Sequence, residues 1–141
     1  MRLIKFDPAN SEQLFKEWNG NWVAWDVKLV VCSIVGWLNS IGECEGCIIT
    51  SLVRSRAKNT AVGGVPGSLH VPQNSPSGKC EACDLVLLSD HPFGDIDIAD
   101  FCAFIKNHFR YVDVVYHKVK GGQHFHIECD TKSKELQVEI Y

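Results

Sequence analysis

The chain has 141 residues, 45% of them hydrophobic and 22% charged, with a formal net charge of -3 at pH 7. That is the size of one domain of about 100–150 residues around one core, and a mild acidic excess lacks the basic stripe that nucleic-acid binding needs. The longest apolar stretch, Leu29 to Leu38, is about half of the roughly 20 residues that cross a bilayer, so no membrane span is expected.

Met1 to Pro8 contains no apolar segment of the kind found in a secretory signal, so synthesis in the cytoplasm is expected. A short amphipathic helix is predicted over Ser11 to Trp18, with Asn10 as N-cap and Gln13 three residues on. Asn19-Gly20-Asn21 breaks it. From Trp25 to Ile41 the apolar residues follow helical spacing with a wide face, which predicts a buried helix. Gly36 lies inside it, where the missing side chain would admit a close neighbour. Cys47 to Leu52 is rich in β-branched residues and reads as a strand. Arg54 to Gly78 is dense in Gly, Pro, Ser and Asn and reads as loop, with Arg56 and Lys58 a solvated run. Asp84 to Leu88 reads as a strand, Asp90 to Gly94 as a turn, and Ile98 to Phe109 as a helix. Val112 to His117, His124 to Cys129 and Leu136 to Tyr141 read as strands. No repeat or low-complexity linker divides the chain, so residues 1–141 are expected to form a single α+β domain, N-terminal helices packed on a mostly antiparallel sheet.

Seven cysteines, an odd number, argue against a full disulfide framework. Cys44 with Cys47, and Cys80 with Cys83, have the CxxC form of a four-thiolate structural zinc. The separation of the pairs is longer than in the usual zinc knuckles, and buried free thiols are the plainer expectation.

The strongest local signal is Gln123-His124-Phe125-His126-Ile127-Glu128. Side chains alternate faces along a strand, so His124, His126 and Glu128 point one way and Phe125 and Ile127 the other. Two imidazoles and a carboxylate on one face suit a metal such as Zn²⁺, which accepts neutral imidazole nitrogen and carboxylate oxygen. Taken alone, a His-x-His pair is more often a solvated strand face.

A second signal runs from Ser51 to His70. Ser51, Arg54, Ser55, Asn59, Val62, Gly63, Gly64, Ser68 and His70 form the gapped pattern S-x-x-R-S-x-x-x-N-x-x-V-G-G-x-x-x-S-x-H. This pattern resembles the zinc D-Ala-D-Ala carboxypeptidase and L-alanyl-D-glutamate endopeptidase family, which includes bacteriophage endolysins and shares its fold with the hedgehog signalling domain. The resemblance covers about residues 48–128. It implies a hedgehog-like fold and a monomeric zinc peptidase that acts on peptidoglycan stem peptides, reaching the cell wall after release or delivery. The implied zinc ligands are His70, Asp84 and His126, with water in the fourth position. Asp84 ends an Ala82-Cys83-Asp84 motif and lies further from His70 than the family spacing. The extra residues, about 71–77, are expected to bulge outward, and Asp90 is the alternative ligand.

The resemblance also implies that Arg54 binds a substrate carboxylate or developing oxyanion, with Ser51 and Ser68 as substrate contacts. Many members of the family carry a glutamate before the last ligand as general base. Here the candidates are His124 and then His117, with Asp113 as a residue that could orient His117 or a ligand. The missing glutamate keeps open a catalytically silent zinc-binding module of the same fold, and the CxxC pairs keep open a ribbon-like binding protein.

Overall fold

Val27, Val30, Val31, Ile34, Val35 and Leu38 recur at the spacing that aligns them on one side of a helix, and all six are buried. They belong to α2 (Trp25–Ile41) in a computed structural model that describes residues 4–41, 46–88, 95–109, 112–119, 122–129 and 138–140. Four of the six are valines, which are poor helix formers because χ1 is restricted. Burial, at about 1.5–3 kcal/mol for each such side chain, therefore stabilises α2 more than intrinsic propensity does. Gly36 has another place than expected: a Cβ there would meet nothing within 4 Å, so it faces away from the core. Asn10 stands before α1 (Ser11–Asn19) but its side chain makes no capping bond.

Among the described residues the sheet has six strands, in the order β1-β2-β3-β5-β4-β6. They are β1 (Ile4–Phe6), β2 (Gly46–Ser51), β3 (Ala82–Leu88), β4 (Val112–Val119), β5 (Gly122–Cys129) and β6 (Val138–Ile140). The three inner pairings are antiparallel, and the two edge pairings, β1 with β2 and β4 with β6, are parallel. With α3 (Arg56–Ala61) and α4 (Asp95–His108) the described residues make an α+β fold of four helices and a mostly antiparallel open sheet. Among the described residues no helix is long and apolar enough to cross a membrane.

Two elements escape the periodicity reading. β1 is three residues long, too short to show a pattern, and is defined by its pairing with β2. α3 lies in the stretch read as loop, where Ser55 Oγ accepts the Lys58 N–H at 3.0 Å and caps the helix. α4 also begins three residues before the predicted Ile98.

One face of the sheet carries the core. Phe125 and Ile127 of β5, Leu85 of β3 and Val114 of β4 are buried there with residues of α2 and α4. Phe101 of α4 packs on Phe125 with ring centres 4.2 Å apart, and Trp37 of α2 stacks on Phe104 of α4 at 4.6 Å. The alternation along β5 turns His124, His126 and Glu128 to the opposite face, where each is only partly buried. That second face lies beneath the segment that follows β2.

Candidate functional site

β3 and β5 are neighbours in the sheet, and their register sets Asp84 directly opposite His126. On its other side Asp84 pairs with Ser51, where β2 has an irregular register between Ile49 and Ser51. Such bulges re-aim side chains near functional sites. Thr50 Oγ1 donates to the Asp84 carbonyl at 3.3 Å across this irregularity.

His70 reaches the same place from the loop above. The Arg54 N–H donates to the His70 carbonyl at 2.9 Å, and the Glu81 N–H to the Leu69 carbonyl at 3.0 Å, so the loop is pinned to both β2's exit and β3's entry. The extra residues do not simply bulge outward. Val71 and Ser75 are buried, residues Pro72–Asn74 form a 3-10 turn, and Asn74 Nδ2 donates to the carbonyls of Pro66 and Ser68. Asn74 thus ties this length of chain back to the loop that carries His70, which is fully buried.

Three acceptor atoms converge. His70 Nε2 is 3.1 Å from Asp84 Oδ1 and 3.3 Å from His126 Nδ1, and His126 Nδ1 is 2.7 Å from the same Asp84 oxygen. The outer nitrogens define the tautomers. His70 Nδ1 faces the Leu52 carbonyl, which can only accept, so Nδ1 carries the proton and Nε2 presents a lone pair. His126 Nε2 donates to Glu128 Oε1 at 2.8 Å, which leaves Nδ1 as the lone pair in the neutral ring. Two imidazole lone pairs and a carboxylate oxygen around one point repel unless a cation stands among them.

A tetrahedral zinc with ligands at about 2.0–2.1 Å spaces its ligand atoms about 3.3 Å apart; the two edges from His70 Nε2, at 3.1 and 3.3 Å, match this, and the His126–Asp84 edge of 2.7 Å is shorter. Among the described residues, His70, Asp84 and His126 are the group of His, Cys, Asp or Glu side chains whose ligand atoms are close enough to hold a metal ion. The donor set fits a borderline divalent cation.

A proton can play the cation's part. Burial favours the neutral form of His126, but its bonds to Asp84 and Glu128 prevail and push its pKa up to about 9. Burial would raise the Asp84 carboxyl, yet its contacts with His126 and His70 hold it well below the usual carboxylate range.

Arg54 closes the far side. Its Nη2 donates to Asp84 Oδ2 at 2.9 Å, Nε to Ser51 Oγ at 3.2 Å and Nη1 to Asn59 Oδ1 at 3.3 Å. Three of the five guanidinium N–H groups thus fix Arg54 behind the triad, and the ion pair keeps the second Asp84 oxygen away from the metal position. Of the two serines expected as substrate contacts, Ser51 accepts from Arg54, and the buried Ser68, which lines the cleft beside the triad, accepts the His70 N–H at 3.2 Å.

A cleft of about 440 Å³ opens on the triad, lined by Arg54, Val62, Gly63, Gly64, Val65, Ser68, Asp84, Val115, His117, His124, His126 and Glu128. Val62 and Val65 form an exposed apolar rim. Gly64 is needed there, because a Cβ would lie 2.1 Å from Asn59 Oδ1. His117 and His124 are register partners on β4 and β5. His117 is also in ring contact with His126, centres 6.2 Å apart, and burial, with the nearby His124 and His126, lowers its pKa. Asp113 is the register partner of Glu128.

Two participants are not among the ligands, base or substrate contacts expected from the sequence. Glu128 orients His126, and the period-two alternation that put it on the ligand face was its signal. Asn59 is buried, bonds Arg54 and donates through Nδ2 to the Val65 carbonyl at 2.7 Å; its place in the gapped pattern was the only sign. Cys44 and Asp90 lie outside the described residues. Cys47, Cys80 and Cys83 are buried free thiols that do not converge as a metal group. Burial pushes the Cys47 and Cys80 thiols up to about 12, and Cys80 Sγ donates to the carbonyls of Leu52 and Ala82.

Comparison with protein-family models, with curated proteins and with solved structures finds no match.

Proposed function

We propose that the chain is a zinc metallopeptidase that hydrolyses peptide bonds in peptidoglycan stem peptides, with the hedgehog-like peptidase fold that the sequence pattern from Ser51 to His70 resembles. The observation that carries this reading is the convergence of His70 Nε2, Asp84 Oδ1 and His126 Nδ1 within 3.3 Å of one another beside a cleft that holds two further imidazoles, His117 and His124. A zinc ion held by these atoms lowers the pKa of a bound water toward about 7 and polarises a carbonyl.

The remaining chemistry belongs to the chain's own groups. A general base has to be neutral and within reach of the reacting water. His117 fits better than His124, because its ring touches that of His126. Both cleft carboxylates of the described residues are already engaged, Asp84 with both histidines and Arg54, Glu128 with His126. The base is therefore an imidazole. Arg54 holds Asp84 ionised and aligned, and two of its N–H donors remain for a substrate carboxylate or a developing oxyanion. The apolar rim of Val62 and Val65 suits a small aliphatic side chain such as that of alanine.

The test is digestion of purified peptidoglycan, with the released muropeptides read by mass spectrometry and a chelator control. New peptide termini that disappear with chelation and in His117→Gln support the proposal. The rival reading is a silent zinc-binding module, favoured by the absence of an unengaged carboxylate among the described cleft residues. Tight metal binding without any new termini would select it.

A further inference from the structure

The face that holds the triad carries a second pair of imidazoles. His117 and His124 are register partners, so the backbone holds their Cβ atoms about 5 Å apart. Both are half-buried and both line the cleft. Their ring centres are 4.9 Å apart, with planes at 32°. Two imidazoles on one tetrahedral ion, each nitrogen at about 2.0–2.1 Å, have ring centres roughly 5 Å apart. The triad offers an internal comparison, since the His70 and His126 ring centres are 5.1 Å apart. The pair is nevertheless distinct, because the triad's group of ligand atoms includes neither ring.

From this geometry we infer that His117 and His124 clamp a second divalent transition-metal ion, of the class that accepts imidazole nitrogen (Zn²⁺, Cu²⁺ or Ni²⁺). The open cleft supplies water for the remaining coordination positions. With two protein ligands and no carboxylate among them, this site binds more weakly than the triad and fills after it. Occupation removes the imidazole lone pair that the proposed hydrolysis uses, so excess metal inhibits turnover. That consequence rests on the peptidase reading; the binding itself does not.

The experiment reads stoichiometry without substrate. Protein loaded with one equivalent of zinc is titrated with further Zn²⁺ at neutral pH in a calorimeter, and bound metal is counted after gel filtration. The wild type takes up a second equivalent at least tenfold more weakly than the first. His124→Ala and His117→Gln each stop at one equivalent, and retention of that first ion shows that the variant is folded. A wild type that stops at one ion, or a second ion kept by both variants, overturns the inference. A second ion taken up in the titration, together with no peptide cut by protein holding only one equivalent of zinc, would leave this site standing and remove the peptidase reading alone.

Discussion

Stripping the metal should reverse the direction in which pH acts on stability. Without metal, the cation among the three acceptors is the extra proton on His126, whose pKa is raised from 6.5 to about 9. A raised histidine contributes stability that is complete below pH 6.5 and lost as pH climbs through 9. At about 1.4 kcal/mol per pH unit, the 2.5-unit gap between 6.5 and 9 corresponds to about 3 kcal/mol. The lowered Asp84 pKa expresses the same contact from the other partner and is not added to it. For a domain of this size that is roughly 10 °C in Tm. In the metal-loaded protein the imidazole has to be neutral and protons compete with the ion, so stability holds or rises over the same window. The assay is thermal unfolding between pH 6.5 and 7.5, below the unfolded thiol pKa of about 8.5, with chelator and with excess zinc. His126→Gln is the control that removes the chelator slope. A chelated wild type whose Tm stays flat, or matches that of His126→Gln, would refute the convergence of lone pairs.

Asp84→Ala removes a ligand and leaves the Arg54 guanidinium, only 14% exposed, without its counter-ion. We expect loss of the tight metal and a cost of about 3–5 kcal/mol, read by metal analysis and urea unfolding; a stable variant with full zinc would contradict it. Glu128→Gln keeps the shape but weakens the orienting bond to His126, so metal affinity should fall about 10–100-fold in a competition titration with a chromophoric chelator. Gly64→Ala drives a methyl into Asn59 and should cost about 1–3 kcal/mol. Gly64→Ala combined with Asn59→Ala should recover part of that cost, whereas simple additivity would show that the contact is not the cause.

The residues that hold the site were legible in the sequence to the extent that their signals were local. Alternation along residues 124–129 placed His126 and Glu128 on one face and Phe125 and Ile127 on the other, because strand geometry leaves a side chain no other choice. The helical spacing from Val27 to Leu38 defined α2 for the same reason. Asn10 misled, since a cap signal says nothing of whether the side chain turns inward. α3 was hidden by the Gly and Pro around it, although Ser55 is a good cap.

What tertiary structure alone decided is which distant residues meet. No local pattern states that β5 inserts between β3 and β4, yet that order sets Asp84 opposite His126 and His117 opposite His124. Nor does the sequence show that Arg54 turns to Asp84, or that Asn74 bonds back to Pro66 and Ser68. Those outcomes depend on contacts between segments far apart in the chain, where buried polar groups take whatever partners the packing brings within reach.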